Sequence, residues 1–182
     1  FPIQDIYKFD ERRILVGRIE SGSLKAGDEL LFSPSNTLAK IATIEIWPET
    51  GSSPQSASAG QSVGITLTDQ IFVERGHIAS HIERAPVLTN LFRARIFWLG
   101  HKPMELGKRY KIKLGTSEMM AEVKTIEHVI DADTLAQVPA NRVERSNVAE
   151  IILRVRGLAV VDDFNNNPRL GRFVILQDYD VA

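Results

Sequence analysis

Four histidines, a D-x-D pair and several close arginine pairs are the groups in this sequence with types and spacing suited to chemistry. His77 and His81 are spaced i, i+4, which on a helix can hold zinc. Their neighbours read as strand, however, where His77, Ala79 and His81 share one face about 13 Å end to end. No Glu follows His77 in the H-E-x-x-H manner, so both read as surface or rim histidines. His101 falls in the turn Gly100–Gly107 and His128 in a strand, neither with a partner set. Asp131 and Asp133 have the spacing of some metal-binding pairs, but they read as a solvated turn before Leu135.

Nucleotide chemistry needs more than glycine. A phosphate loop, G-x-x-x-x-G-K-[ST], cradles phosphates with backbone N–H groups and reaches magnesium with a hydroxyl. The nearest imitation is Gly100–Arg109, GHKPMELGKR, with glycines seven positions apart rather than five and Arg109 in place of the hydroxyl. It reads as a turn between strands. No Asn-Lys-x-Asp or Asp-x-x-Gly motif stands in usable context, and no G-x-S-x-G elbow exists. The sequence therefore assigns no catalytic, cofactor-binding or metal-ligating residue.

Arg12-Arg13, Arg93/Arg95, Arg142/Arg145 and Arg169/Arg172 could touch phosphate. Interspersed acidic residues and a net charge of −1 make them solvated faces instead. Phe72, Phe97 and Trp98 are the aromatic candidates for an interface. Strand alternation puts Phe97 and Trp98 on opposite faces, so one of them belongs to the core.

At 182 residues, 43% apolar and 25% charged, the chain suits one large or two small globular β domains. It has no cysteine, which excludes disulfides, thiolate metal sites and thiol catalysis. Its apolar runs are far shorter than a membrane span, and no signal peptide is apparent. A cytoplasmic setting is expected. The chain opens on Phe1, as expected of a piece of something longer.

Period-2 alternation predicts strands over Phe1–Phe9, within Arg12–Phe32, and over Thr37–Trp47, Val63–Thr68 and His77–Ile82. Arg12–Phe32 reads as a hairpin, with Gly22 and Gly27 free to take positive φ and Gly17 marking a close approach or bulge. Pro48 ends a strand, and Glu49–Ser62 reads as a small-residue surface loop. Glu83–Leu88, broken by Pro86, marks a boundary between residues 1–86 and 87–182. Beyond it, strands are expected over Leu91–Leu99, Arg109–Leu114, Met120–Ile130, Val148–Val155 and Arg172–Leu176. Met120, Val123, Ile126 and Ile130 could trace a helical face, but β-branched enrichment favours strand. The fold class is all-β, with two small barrels.

The run GRIESGSLKAGDE at Gly17–Glu29 resembles the second-domain signature of the elongation factor Tu and 1-alpha superfamily of GTPases. Phe92–Gly107, KRYKIKLGT, IEHVIDADTL, Asn147 in RSNVAEI and Leu170–Asp178 follow in the order of that superfamily's third domain. TIEHVIDADTL and the ending D-x-F-x-x-N…GRFVILQDYDVA resemble the GTP-binding-subunit family of sulfate adenylyltransferase. The resemblance implies two non-catalytic barrels, as in domains 2 and 3 of translation-factor-type GTPases. It places GTP and magnesium in an absent GTPase domain and ATP in a smaller catalytic partner subunit. The parent activity it implies joins ATP and sulfate into adenylylsulfate and pyrophosphate, driven by GTP hydrolysis. The barrels would dock the GTPase domain and the partner, with nucleic acid and membrane not expected to bind. The alternative is a pair of tRNA- or release-factor-binding barrels from an elongation-factor-like GTPase, and a third reading is a free-standing barrel adaptor. The family's last strand normally continues past Ala182, so an exposed sheet edge is expected in the second barrel.

Overall fold

The computed structural model describes residues 1–9, 11–47, 53–178 and 180–182. Pro48 as a strand end, the start of the Glu49–Ser62 loop and Tyr179 of the terminal motif lie outside the described residues. Among the described residues no helix is long and apolar enough to cross a membrane. Two compact units emerge. The first joins Phe1–Leu88 with Gly115–Ser117 and Val160–Arg172, and the second holds Thr89–Leu114, Glu118–Ala159 and Phe173–Ala182.

In the first unit the strands are β1 (Ile3–Phe9), β2 (Arg12–Arg18), β3 (Ser23–Lys25) and β4 (Glu29–Ser33). They are followed by β5 (Thr37–Glu45), β6 (Ser56–Ser58), β7 (Ser62–Leu67) and β8 (Ile78–Ser80). Six of them form one antiparallel sheet in the order β1-β2-β7-β5-β4-β8. A bridge from Pro2 to Ile78, with Ile3 N–H donating to His77 O at 2.8 Å, joins its two ends into a barrel. Closure removes the free edges that an open sheet exposes. Ile3, Leu15, Leu30, Phe32, Ile41, Ile44 and Ile65 fill the interior.

The hairpin expected over Arg12–Phe32 is not formed. Strand β2 pairs with β1 and β7, whereas β4 pairs with β5 and β8. Between them β3 leaves the sheet and pairs with β6, so Ser56–Ser58 of the expected surface loop is a strand with Ala57 in the core. Small residues satisfy the ladder there without a hydrophobic period to announce it. The turn Lys25–Asp28 is fixed by its own side chain: Asp28 Oδ2 accepts from Lys25 N–H at 2.9 Å, and Gly27 takes φ +91°. Strand β8 also stops sooner than expected, because Ile82–Arg84 turns into a 3₁₀ helix with Arg84 N–H donating to His81 O. The following Ala85 is extended, as the residue before a proline should be.

The remaining strands belong to the second unit except at a few end residues of β9, β12 and β15: β9 (Val87–Phe97) begins before the expected Leu91, ahead of β10 (Met104–Glu105), β11 (Arg109–Leu114) and β12 (Ser117–Asp131). Then come β13 (Gln137–Val138), β14 (Arg142–Val143), β15 (Asn147–Val161), β16 (Phe173–Gln177) and β17 (Asp180–Val181). The main sheet runs β17-β16-β11-β12-β15-β9, with β13 on β12 and a separate β10–β14 ribbon. It curls until Phe92 of β9 meets Phe173 of β16 edge-on, 5.7 Å between ring centroids. Trp98 is 0% exposed and packs edge-on against Tyr110. Its Nε1–H donates to Lys102 O at 3.0 Å. Phe97 is the outward member of that pair, 49% exposed.

Candidate interaction faces

None of the histidines meets another as a ligand pair. His77 is buried with Nδ1 unpartnered and Nε2 3.8 Å from Glu74 Oε1. Burial lowers its pKa, and Glu74 pulls the other way. His81 instead contacts Asp28, its Nε2 3.1 Å from Oδ2. Arg145 Nη1 lies 3.3 Å from His101 Nδ1. Among the described residues no group of three or more His, Cys, Asp and Glu could hold a metal ion.

Asp131 closes its own turn. Its Oδ1 accepts from Thr134 N–H at 2.8 Å, from Thr134 Oγ1 at 3.0 Å and from Asp133 N–H at 3.0 Å. Those bonds, Thr134's first, lower its pKa. Leu135 follows in the same turn, past the strand's end at Asp131, with φ +58°. The segment Gly100–Gly107 is likewise structural, a cover over Trp98. Gly100 lies against the indole, and the Gln177 side chain brackets Lys102 through both N–H and C=O.

The paired arginines have acidic partners in several places. Arg93 bonds Glu127, Arg95 bonds Glu150, Arg142 bonds Glu144 and Arg169 bonds Glu20. Arg13 donates instead to the carbonyls of Ile71 and Val73. Exposed pairs of this kind contribute little stability, but they spend the charge that a phosphate backbone would need.

What the outer face of the second unit presents is a row of apolar side chains beside a charged one. Ile130 of β12 pairs with Val148 of β15, and both point outward, 41% and 36% exposed. Phe97 extends this side on β9. One step along, His128 pairs with Glu150, whose carboxylate receives Arg95 Nε at 2.7 Å. Arg95's hydrogen bond lowers the Glu150 pKa. In the first unit Phe72 stands 74% exposed. The sequence singled out Phe72 and Phe97 but missed Ile130 and Val148, which look like ordinary strand residues until register is known.

The family model described as GTP-eEF1A C-terminal domain-like matches residues 91–181. The chain belongs to that family. Sulfate adenylyltransferase subunit 1 of Francisella tularensis subsp. tularensis is 30% identical over 177 residues, 97% of this chain. That of Shewanella oneidensis is 34% identical over 145 residues, 79% of this chain. The chain spans about 37% of the length of the first relative and 29% of the second. Among solved structures, Sup35 complexed with GDP superposes with a TM-score of 0.88 over 99% of this chain and 44% of its own, at 22% identity. The two barrels are thus those of translation-factor-type GTPases in fold.

Proposed function

We propose that this chain is the two-barrel region of a sulfate adenylyltransferase GTP-binding subunit, with residues 1–86 and 87–182 as its second and third domains. The observation that carries the reading is 30% identity to a subunit 1 relative across 97% of the chain. In the parent, a GTPase domain binds GTP and magnesium, and a smaller cytoplasmic partner subunit binds ATP and performs adenylyl transfer. The barrels contribute no reacting group. They dock the GTPase domain and the partner, and closed sheets suit this because they move as rigid bodies. We assign the partner contact to the apolar row Phe97, Val148 and Ile130, whose charged border would set orientation more than affinity.

The test is a pull-down of this chain with the small sulfurylase subunit and, separately, aminoacyl-tRNA. Saturable binding to the subunit, insensitive to moderate salt, is the expected result. Salt-sensitive binding to tRNA alone would overturn it in favour of an elongation-factor-like protein.

A further inference from the structure

Beside the starts of β1 and the end of β2, the first unit carries an open pocket of about 350 Å³ with an unequal charge. Arg18, Arg169 and Arg172 line it with three cations against the single carboxylate of Glu20, and Gln4 and Thr116 add neutral polar groups. All of these residues belong to the first unit.

Glu20 neutralises only one of the three arginines, since its Oε2 lies 3.1 Å from Arg169 Nε. Arg172 is tethered by Nε alone, which donates to Pro168 O at 2.8 Å, while its guanidinium carbon lies 5.8 Å from the Phe164 ring centroid. Among the described residues no carboxylate pairs with Arg172 or with Arg18. Thr116 Oγ1 is buried and without a hydrogen-bond partner.

The walls are fixed in advance. Leu170 is buried with Ile78 and Val160, which anchors the loop that carries Arg169 and Arg172. Within that loop the N–H groups of Leu170 and Gly171 both donate to Asn167 O, at 3.1 and 2.8 Å. Gly171 lies against the Phe164 backbone, where a Cβ would not fit. On the opposite wall Ser117 Oγ donates to Gly76 O at 2.9 Å and holds Thr116 in place. Arg75 Nη1 donates to Gln4 O at 2.8 Å, at the bulge between Ile3 and Asp5. Forked guanidinium donors on a fixed frame match the oxygens of a tetrahedral anion and lose little freedom on binding it.

We propose that this pocket is a binding site for a tetrahedral oxyanion, a phosphate or sulfate group, gripped by Arg18 and Arg172 with Arg169 held back by Glu20. The lining contains no aromatic ring, so the anion itself supplies the affinity.

The test is calorimetric titration of the chain with inorganic phosphate, sulfate and AMP at matched ionic strength, with chloride as the control. Phosphate and sulfate should bind saturably and chloride should not. Equal affinity for AMP and phosphate would identify the free anion as the ligand, and tighter AMP binding a phosphate ester. R18A and R172A should each weaken binding at least about tenfold, the scale of a charge-assisted hydrogen bond. E20Q should tighten it, because it removes a repelling charge and releases Arg169. Circular dichroism checks that each variant is folded, and E20Q supplies a gain that misfolding cannot imitate. Absence of saturable phosphate binding, or affinities unchanged in folded R18A, R172A and E20Q, would overturn the proposal.

Discussion

Gly17 and Pro2 are in a contact that only glycine permits: a Cβ on Gly17 would overlap the Pro2 carbonyl oxygen and press on the Phe1 ring. The contact follows from barrel closure, since β2 pairs with β1 at Ile3↔Gly17 just where Pro2 bridges to Ile78. A glycine within a strand, visible in the sequence as a warning of close approach, thus sits where the cylinder is joined.

Gly17→Ala should therefore destabilise the first unit by about 1–3 kcal/mol, the usual cost of overpacking against atoms that cannot move away. Gly22→Ala is the comparison, because nothing lies within 4 Å of its Cβ position and only its φ of +70° is strained. It should lose about 1 kcal/mol, the left-handed penalty alone. Urea unfolding of both variants measures the difference, and equal losses would mean that the Pro2 contact yields easily.

Trp98 and Phe97 offer a test of inside against outside. Trp98→Ala should cost about 3–5 kcal/mol, because it leaves a large cavity beside Tyr110 and removes one of the two hydrogen bonds to the Lys102 carbonyl. Phe97→Ala should stay within about 1 kcal/mol, as expected for an exposed position. Thermal denaturation of the pair checks this, and a comparable loss from Phe97→Ala would place that ring in the core.

The β pattern was legible wherever apolar residues alternate cleanly, as in Arg109–Leu114 and the outer half of β9. Irregularity blurred it without hiding it, since the expected Met120–Ile130 strand is present although its period is broken. In β12 the buried residues are Ala121, Val123, Ile126 and Val129, because the register shifts between Val123 and Thr125 and again between Ile126 and His128. Each shift lengthens a step from two residues to three, which makes a bulged strand imitate a helix. Met120 and Ile130 settle the matter by facing outward. Pairing partners were less legible still. Nothing local in Arg12–Phe32 says that β2 and β4 join different neighbours, since register is a property of the closed sheet. For the same reason the pocket lined by Arg18, Arg169 and Arg172 was invisible, with residues from distant segments that no short motif links.

His77 predicts an acid-sensitive first unit. Burial lowers its pKa, so the folded state binds the proton less well than the unfolded chain. Its contribution is then fully present above the unfolded value of about 6.5, declines as pH falls through it, and levels off below the folded pKa. His77→Gln removes the titration. Between pH 7 and 5 the parent should lose more stability than this variant, and parallel stability curves would show that His77 takes up its proton without cost.

The apolar row on the second unit leads to the sharpest test of docking. Ile130 and Val148 are exposed partners on adjacent strands, so an aspartate at either position meets solvent in the free chain and buried surface in a complex. Ile130→Asp and Val148→Asp should each change stability by no more than about 0.5 kcal/mol, as surface substitutions generally do. Under the proposed docking, each should weaken binding of the small sulfurylase subunit by more than about tenfold, because burying an unpaired carboxylate at the centre of an interface is costly. Arg95→Ala should act mainly on the association rate and its salt dependence, being a border charge already shared with Glu150. Surface plasmon resonance at two salt concentrations separates these effects. Undiminished binding by both aspartate variants would move the contact to another face, with Phe72 of the first unit as the next residue to replace.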